Sequence, residues 1–558
     1  MMQLLKTKTW LIAAFCLFTI NCSLQQQVVT WKAEEKSGIE DRTPAQTSEI
    51  NAETDNVQSN VEFPYNLVEL PKALSISQLP KDVELSQKIA ETIEKSQFRN
   101  ARWGVFVSSL KDGRVLVAQD AQKLFNPAST QKLFTTAVAL DRLGSEYRWR
   151  TSMYGAGDIG ADGTLSGDLI LKGRGAPDFD EKGLTSLVEQ LQARGLRRVR
   201  GNIVGDSSYF HADSLGDGWV WTEAQWYFGA EPSALSFSDN TVLVQITPGT
   251  SFGETVGVKT LPEASFMRIQ NTAKTVASGA RDTSGVHRDL DANSVQIWGD
   301  VPSNKPFSIR TTMHEPELWA ADRLKKLLQS KGITVEGDAR AVNWKTATAD
   351  VANMRELCFV QSETLAEIIK RTNKRSINLN AELLLRTVGR QSRETIERQN
   401  NKTALGDDAL GVMSIKQWLA EKNVATGETE IHDGSGLSRL DFVSPEIMGR
   451  LLVHAARMRE FNVFKDSLPT AGTDGTLGGR LVKFKDKVFA KTGTITYVNA
   501  LAGYAQIADD EAVAFVILCN NETSRENSVS TVDAIASLIA GSANPIDSTF
   551  KEGNAQIK

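Results

Sequence analysis

The sequence predicts a mixed α/β (α+β) protein in which two helix-rich stretches enclose a long β-rich segment. Apolar residues recur at helical spacing after Pro127 and again after Ser362. Between these stretches, in residues 150–355, the pattern changes to short alternating strands with glycine-rich turns. A segment of this length can hold a core of its own, so we interpret it as an insert of one or two domains.

Length and composition are typical of a globular protein with several domains. The chain has 558 residues, of which 41% are hydrophobic and 23% are charged. Its formal net charge is −5 and it has no sustained basic stripe, which argues against a nucleic-acid-binding protein. The five histidines have no ligand spacing and no cysteine or carboxylate cluster accompanies them, so we predict neither a metal site nor a cofactor.

Residues 1–22 predict an export signal. Lys6 and Lys8 precede an apolar run, Trp10 to Ile20, that is too short to span a bilayer comfortably. Cys22 follows at once, so two alternatives stay open: a simple signal sequence, or a lipoprotein signal that leaves a lipid on Cys22 and associates the protein with a membrane. Under either alternative we expect the protein in the periplasm or at the cell surface.

The N-terminal stretch follows a polar, aperiodic linker, residues 23–75. Its pattern predicts a helix from Leu85 to Ser96 and a hairpin from Trp103 to Ala118. A further helix begins at Pro127, whose missing N–H is not needed in a first helical turn, and ends at Gly144.

Ser129 and Lys132 lie three residues apart at the start of that helix, which places their side chains on one face, one turn apart. Burial disfavours a charged lysine, so the Lys132 amine could take a proton from the Ser129 hydroxyl. The same S-x-x-K pattern occurs from Ser108 to Lys111. That copy falls at the hairpin turn, and we interpret it as a strand edge with a solvated lysine.

The rest of the chain contains the predicted elements of the insert and of the second helix-rich stretch. In the insert we predict two helices and several strands: helices Leu184–Gln192 and Pro316–Lys331, and strands Leu165–Leu171, Val199–Val204, Val242–Ile246, Val256–Leu261 and Val295–Trp298. After the insert we predict two helices around a polar interval, Asn373–Asn378, then a strand ending at Lys491, a hairpin, Val498–Gln506 with Ala512–Cys519, a last helix, Ser528–Ile539, and a tail, residues 547–558. Cys358 and Cys519 could pair, but two buried free thiols are favoured.

Three short motifs follow one another along the chain: Ser129 with Lys132, Ser376 with Asn378, and Lys491-Thr492-Gly493. This is the S-x-x-K, S-x-N, K-T-G order of serine enzymes that act on D-alanyl peptides and penicillins. Residues 80–545 resemble the peptidase S13 family, the class C low-molecular-mass penicillin-binding proteins of the penicillin-binding protein 4 type. The resemblance extends to the stretches Gly167–Pro177, Asn373–Leu385, Asp433–Leu437 and Gly472–Gly479 and to the long insert between the first two motifs.

The second motif has one departure from the family pattern and two decoys elsewhere in the chain. Ile377 stands where the family often has Asp or Tyr, although only the flanking Ser and Asn face the chemistry. Ser238-Asp239-Asn240 and Ser542-Ala543-Asn544 also fit the second motif. We prefer Ser376 because helices flank it and because the sequence around it matches the family.

The resemblance implies a serine D,D-peptidase/β-lactamase-like domain, an antiparallel sheet covered by helices, formed by residues 76–149 and 356–546. It implies a serine-type D-alanyl-D-alanine carboxypeptidase, and an endopeptidase as a further activity, acting on peptidoglycan stem peptides ending in D-Ala-D-Ala in cell-wall remodelling. β-Lactam antibiotics would acylate it as covalent inhibitors.

The resemblance also implies a role for each motif residue. Ser129 would be the nucleophile and Lys132 its proton acceptor. Ser376 would relay a proton and Asn378 would bind both Lys132 and the substrate amide. Lys491 would be the last catalytic residue, because its charge would stabilise the developing negative charge and attract the substrate carboxylate. The expected substrate-binding residues are Thr492, Gly493 and Thr494, and the backbone N–H groups of Ser129 and Thr494 would form an oxyanion hole.

Two alternatives remain open at this point. A β-lactamase would share the motifs, although no motif marks an added deacylation base and the long insert disfavours it. A non-catalytic wall-binding or antibiotic-sensing module would keep the fold, although it has no need of a lysine beside a serine.

Overall fold

The computed structural model describes residues 69–346, 351–400, 405–424, 427–508, 510–523 and 527–542. The predicted signal with Cys22, the linker up to residue 68 and the tail lie outside the described residues. The last part of the predicted linker is described and is held against the fold, because the Arg450 guanidinium donates to the carbonyls of Pro71 (2.8 Å) and Lys72 (3.0 Å).

The described residues contain the following helices: α1 (Pro80–Lys95), α2 (Lys132–Leu143), α3 (Glu181–Ala193), α4 (Pro316–Ser330), α5 (Leu365–Arg375), α6 (Asn378–Asn400), α7 (Asp407–Glu421), α8 (Pro445–Ala455), α9 (Phe461–Ser467) and α10 (Val529–Ala540). The strands of the first half are β1 (Arg102–Ser109), β2 (Val115–Gln119), β3 (Arg150–Gly155), β4 (Thr164–Leu165), β5 (Leu169–Lys172), β6 (Arg198–Val199), β7 (Ile203–Asp206), β8 (Thr241–Thr247), β9 (Gly257–Leu261) and β10 (Arg268–Asn271). Those of the second half are β11 (Lys274–Val276), β12 (Gly285–Arg288), β13 (Ser294–Trp298), β14 (Asp300–Pro302), β15 (Phe307–Thr312), β16 (Thr334–Val335), β17 (Ala339–Val342), β18 (Arg355–Gln361), β19 (Val488–Ile495), β20 (Val498–Ala508) and β21 (Glu511–Asn520).

One antiparallel sheet joins the two ends of the chain, in the order β19-β20-β21-β1-β2. Side chains alternate along β1: Val105 and Val107 pack with α1 and α10, whereas Phe106 packs in the core on the other face, with α2 and α8. Each face is therefore covered by helices, and the expected fold class is confirmed. Because β1 and β21 pair over their full length, residues far apart in sequence build one site at the β19 edge.

The described residues between the first two motifs form five further sheets. The largest has the order β17-β7-β5-β3-β18 and mixes parallel with antiparallel pairs. The predicted boundary at residues 355 and 356 falls inside β18, which pairs with β3. The predicted strands Leu165–Leu171 and Val199–Val204 are each divided, because β4 and β6 belong to one sheet and β5 and β7 to another.

Most of the predicted local elements agree with the structure. The predicted hairpins and the helices α1, α3, α4 and α10 are confirmed to within a few residues. The predicted strand ends at Lys491, whereas β19 continues to Ile495 because it pairs with β20. Cys358 and Cys519 are both free and buried, as favoured. Within the part of the chain that is described, no helix has the length and apolarity to cross a bilayer.

Candidate active site

The turn that carries Ser129 is tighter than the predicted helix. Ala128–Gln131 forms a 3₁₀ turn, and α2 begins only at Lys132. Asn126 supports this turn, because its Oδ1 accepts from Ala128 N (3.0 Å) and its Nδ2 donates to the backbone carbonyl of Ser438 (3.0 Å). The half-buried Ser129 is thus held at the junction of turn and helix.

Lys132 lies in the centre of the site and is fully buried. Its Nζ is 2.8 Å from Ser129 Oγ, 2.6 Å from Asn378 Oδ1 and 2.7 Å from the backbone carbonyl of Ser435. Burial lowers the pKa of Lys132 to about 7, although Asp433, Glu382 and Asp441 oppose this shift. The amine is therefore available in its neutral form near neutral pH.

Ser376 and Asn378 reach the site from the junction of two helices. Ser376 is the left-handed C-cap of α5, with a φ of 57°, and Asn378 is the first residue of α6. This sharp reversal directs the two side chains to different lysines. Asn378 contacts Lys132, whereas Ser376 Oγ accepts from Lys491 Nζ at 2.9 Å. The predicted break between two helices is confirmed, but it is shorter than the predicted interval Asn373–Asn378, since only residues 376 and 377 lie between α5 and α6.

The edge strand β19 forms the opposite wall. A Cβ on Gly493 would lie 2.9 Å from the Pro127 carbonyl oxygen and 3.1 Å from Ser129 N, so the strand passes directly beside the serine turn. Thr492 Oγ1 bonds Thr476 Oγ1 at 2.7 Å, and the exposed Thr494 donates to Asn499 Oδ1 at 3.0 Å.

Lys491 on β19 is the second fully buried amine. Its Nζ donates to Ser376 Oγ and to the backbone carbonyl of Thr492 (2.8 Å). Burial lowers the pKa of Lys491 well below its usual range, and the neighbouring Lys132 lowers it further. An anion that enters beside Lys491 would reverse part of this shift by favouring the ammonium form.

The loop 433–441 is part of the site, yet the sequence analysis gave it no role. Asp433 is buried and accepts from the backbone N–H groups of Gly436 (2.7 Å), Leu437 (3.0 Å) and Ser438 (2.9 Å). These bonds fold the loop so that the Ser435 carbonyl faces Lys132. A Cβ on Gly436 would lie 1.8 Å from the Ala128 carbonyl oxygen, so only glycine allows the loop to pack on the serine turn. The only signal in the sequence was the resemblance of Asp433–Leu437 to the family.

The insert also reaches the site, through residues that no motif marks. Asn378 Nδ2 donates to the backbone carbonyl of Phe228 at 2.9 Å, and Trp219 Nε1 donates to Asp433 Oδ2 at 2.8 Å. A backbone carbonyl carries no sequence signature, so the first contact could not be predicted.

The decoy motifs lie elsewhere in the fold. Ser108 is buried in β1, and the exposed Lys111 pairs with Asp510 at the hairpin turn. Ser238–Asn240 forms a 3₁₀ turn before β8, where the Asn240 side chain bonds the turn itself. Ser542 follows the end of α10, and the other two residues of its motif, Ala543 and Asn544, lie outside the described residues.

A helix-covered antiparallel sheet with a serine and a buried lysine beside its edge strand defines the class of serine D,D-peptidases and β-lactamases. Within that class, the chain belongs to the D-Ala-D-Ala carboxypeptidase 3 (S13) family, whose sequence model matches residues 85–541. The resemblance noted from the motifs is confirmed, and with it the prediction of a serine-type carboxypeptidase family.

Curated relatives and solved structures agree with this assignment. The chain is 30% identical to a D-alanyl-D-alanine carboxypeptidase of Actinomadura over 493 residues, covering 86% of this chain and 88% of the relative. It is 27% identical to the D-alanyl-D-alanine carboxypeptidase DacB of Haemophilus influenzae over 449 residues, covering 78% and 87%. The crystal structure of penicillin-binding protein 4 from that organism superposes with a TM-score of 0.69 at 25% identity, covering 83% of this chain and 98% of that one.

Proposed function

We propose that the protein removes the terminal D-alanine of peptidoglycan stem peptides through an acyl-enzyme on Ser129. The observation that carries this proposal is the set of partners around Lys132. Two of them, Asn378 Oδ1 and the Ser435 carbonyl, can only accept, whereas the Ser129 hydroxyl can also donate. A neutral lysine has two N–H donors for the carbonyls and one lone pair, which then faces the Ser129 proton.

In the acylation step, Lys132 Nζ takes the Ser129 proton while Oγ bonds the carbonyl carbon between the two D-alanines. The oxyanion is held by the backbone N–H groups of Ser129 and Thr494. When the C–N bond breaks, the proton returns from Lys132 to the leaving amine, with the Ser376 hydroxyl as relay. Hydrolysis of the acyl-enzyme then regenerates Ser129.

The substrate carboxylate binds along β19 in this proposal. Lys491 supplies the positive charge, and the Thr492 and Thr494 hydroxyls supply hydrogen bonds, next to Gly493. Asn378 binds the substrate amide as well as Lys132. A penicillin presents a carboxylate and a strained amide in the same arrangement, and one related structure, penicillin-binding protein 4 from Haemophilus influenzae, was determined with a β-lactam.

The proposal includes the finer expectations from the sequence. Cleavage of D-alanyl cross-links as an endopeptidase would use the same site, with a stem peptide in place of the leaving D-alanine. The protein acts in the periplasm or at the cell surface, and a lipid on Cys22 would hold it at a membrane. The proposal also keeps the predicted domain divisions at residues 149/150 and 355/356, with the catalytic domain on either side of the insert.

The test is incubation of the purified full-length chain with a fluorescent penicillin, followed by intact mass and peptide mapping. Release of D-alanine from a peptide ending in D-Ala-D-Ala is measured in parallel. We expect a stable adduct on Ser129 and D-alanine release, both absent from Ser129→Ala. Ser108→Ala, in the decoy motif, is the matched control and should keep both activities.

Other outcomes would favour the alternatives. Fast release of hydrolysed penicillin without D-alanine release would identify a β-lactamase. No adduct and no turnover in the folded wild-type protein would overturn the proposal in favour of a binding module.

A further inference from the structure

Three carboxyl groups lie near enough to Lys132 to influence its pKa, and none of them takes part in the chemistry described above. Asp433 and Asp441 come from the loop 433–441, and Glu382 comes from α6; all three side chains are buried. Glu382 Oε1 accepts from Gly434 N (2.9 Å), and its Oε2 accepts from Arg386 (3.0 Å). Arg386 offsets part of the charge of Glu382, whereas burial and the neighbouring Asp433 raise the pKa of Glu382 to about 7. Among the described residues, the two aspartates have no such cation beside them.

Asp433 has the hydrogen bonds of an ionised carboxylate. Besides the three backbone N–H groups of its own loop, it accepts from Ser435 Oγ (2.9 Å) and Trp219 Nε1 (2.8 Å). Each of these five donors favours a carboxylate oxygen that accepts hydrogen bonds.

Asp441 has the opposite environment. Its Oδ1 accepts from His432 N at 2.7 Å, which places the carboxyl beside Asp433, the next residue in the chain. Its Oδ2 is buried with no donor, and the Asp441 side chain interacts with that of Asp433. An ionised Asp441 would place an unpaired anionic oxygen against a second carboxylate in a buried site. A proton on Oδ2 removes the repulsion and supplies a donor to Asp433.

We propose that Asp441 is a protonated positioning residue, which donates a hydrogen bond to the Asp433 carboxylate and leaves the aspartate pair with one negative charge near Lys132. This inference rests on the proposed role of Lys132 as the base. A second negative charge beside Lys132 would favour its ammonium form, which cannot accept the Ser129 proton. The backbone carbonyl of Asp441 also accepts from Asn126 Nδ2 (3.2 Å), which connects the pair to the serine turn.

The other charged groups near the pair do not replace this proton. The ring of His432 points to Asp217 (2.8 Å) and Glu430 (3.9 Å). Arg439 faces Glu223 at 3.3 Å. Burial and the neighbouring Asp433 raise the pKa of Asp441 well above its usual range, in agreement with the geometry.

The test compares the pH dependence of penicillin acylation in Asp441→Asn and Asp433→Asn. In Asp441→Asn the amide NH₂ replaces the acid O–H as donor to Asp433, and the amide oxygen still accepts from His432 N. We expect its acylation rate to stay within about threefold of wild type, with the same acidic midpoint, because the charge near Lys132 is unchanged. Asp433→Asn removes that charge and should move the acidic midpoint down by about one pH unit or more. A similar downward shift in Asp441→Asn would overturn the proposal.

A second measurement needs neither activity nor a variant that folds. Infrared spectra of the wild-type protein at neutral pH, with and without ¹³C in the aspartate carboxyl groups, should show a carboxylic-acid C=O band that moves with the label. Absence of such a band would overturn the proposal even if Ser129 forms the penicillin adduct. A labelled band without any adduct would instead overturn the proposed function and leave the aspartate pair standing.

Discussion

The floor of the site and the rim that the insert adds to it differ in how far their side chains are exposed to solvent. The floor consists of Ser129, Lys132, Asn378 and Lys491, and both of its lysines are fully buried. The rim is the insert segment Gly216–Glu231, in which Trp221 and Tyr227 are 67% and 56% exposed. Buried, multiply bonded groups suit bond-making chemistry, whereas exposed aromatic side chains suit contact with a variable substrate. From this difference we expect that the floor determines the reaction and that the rim modulates what is bound.

The largest effect should come from the floor. Lys132→Met removes the proton acceptor and keeps most of the volume, so acylation by penicillin should fall by about 10²–10⁴-fold. The melting temperature should not fall with it, since the variant no longer buries an amine. Lys111→Met, in the exposed decoy motif, is the control. Stopped-flow acylation and thermal melts decide the matter, and a Lys132→Met variant with near-normal rates would remove Lys132 from the mechanism.

The pH dependence should also follow the floor. Because burial lowers the pKa of Lys132 to about 7, the neutral amine dominates above pH 7 and its fraction falls about tenfold per pH unit below it. Acylation should therefore rise with pH and be about 100-fold slower at pH 5 than on the plateau. Acylation should decline again at higher pH, as Lys491 loses its proton. Because the pKa of Lys491 is lowered, this decline should begin below the pH range in which a lysine usually titrates. A rate profile that is flat from pH 5 to 8 would contradict this assignment of the base.

The contact between floor and rim offers a sharper comparison. Asn378→Ala removes the Oδ1 acceptor from Lys132 and the Nδ2 donor from the Phe228 carbonyl. Acylation should therefore fall by about tenfold to 100-fold, equivalent to about 1–3 kcal/mol. Phe228→Ala keeps the backbone carbonyl that Asn378 contacts. We expect its acylation rate to change by less than about threefold, because no bond to the floor is lost. Equal losses in both variants would show that the Phe228 side chain, and not its carbonyl, supports the site.

The smallest effect on the reaction should come from the rim itself. Trp221→Ala and Tyr227→Ala remove exposed rings of the rim, so penicillin acylation should change by less than about twofold. Cleavage of a stem peptide should weaken by about threefold to tenfold in kcat/KM, since such a ring is worth about 0.5–1.5 kcal/mol in contact. Parallel kinetics with the two substrates measure this. A larger loss with penicillin than with the peptide would reverse the roles assigned to floor and rim.

The sequence by itself determined the order of the three motifs, the helix and hairpin periodicities around them and the family to which they point. Ser129 and Lys132 are a local pair at helical spacing, so their proximity follows from the backbone alone. Ser376 and Asn378 were recognisable because two amphipathic helices flank them.

Only the tertiary structure decided what surrounds Lys132. Asp441, Glu382 and the carbonyls of Ser435 and Phe228 come from separate parts of the chain, and their role depends on distance and burial that no local pattern encodes. The β1–β21 pairing brings the chain ends together, and the insert then folds back over the site. The chemistry of a lysine depends on its desolvation and neighbouring charges, and these are properties of the packed fold.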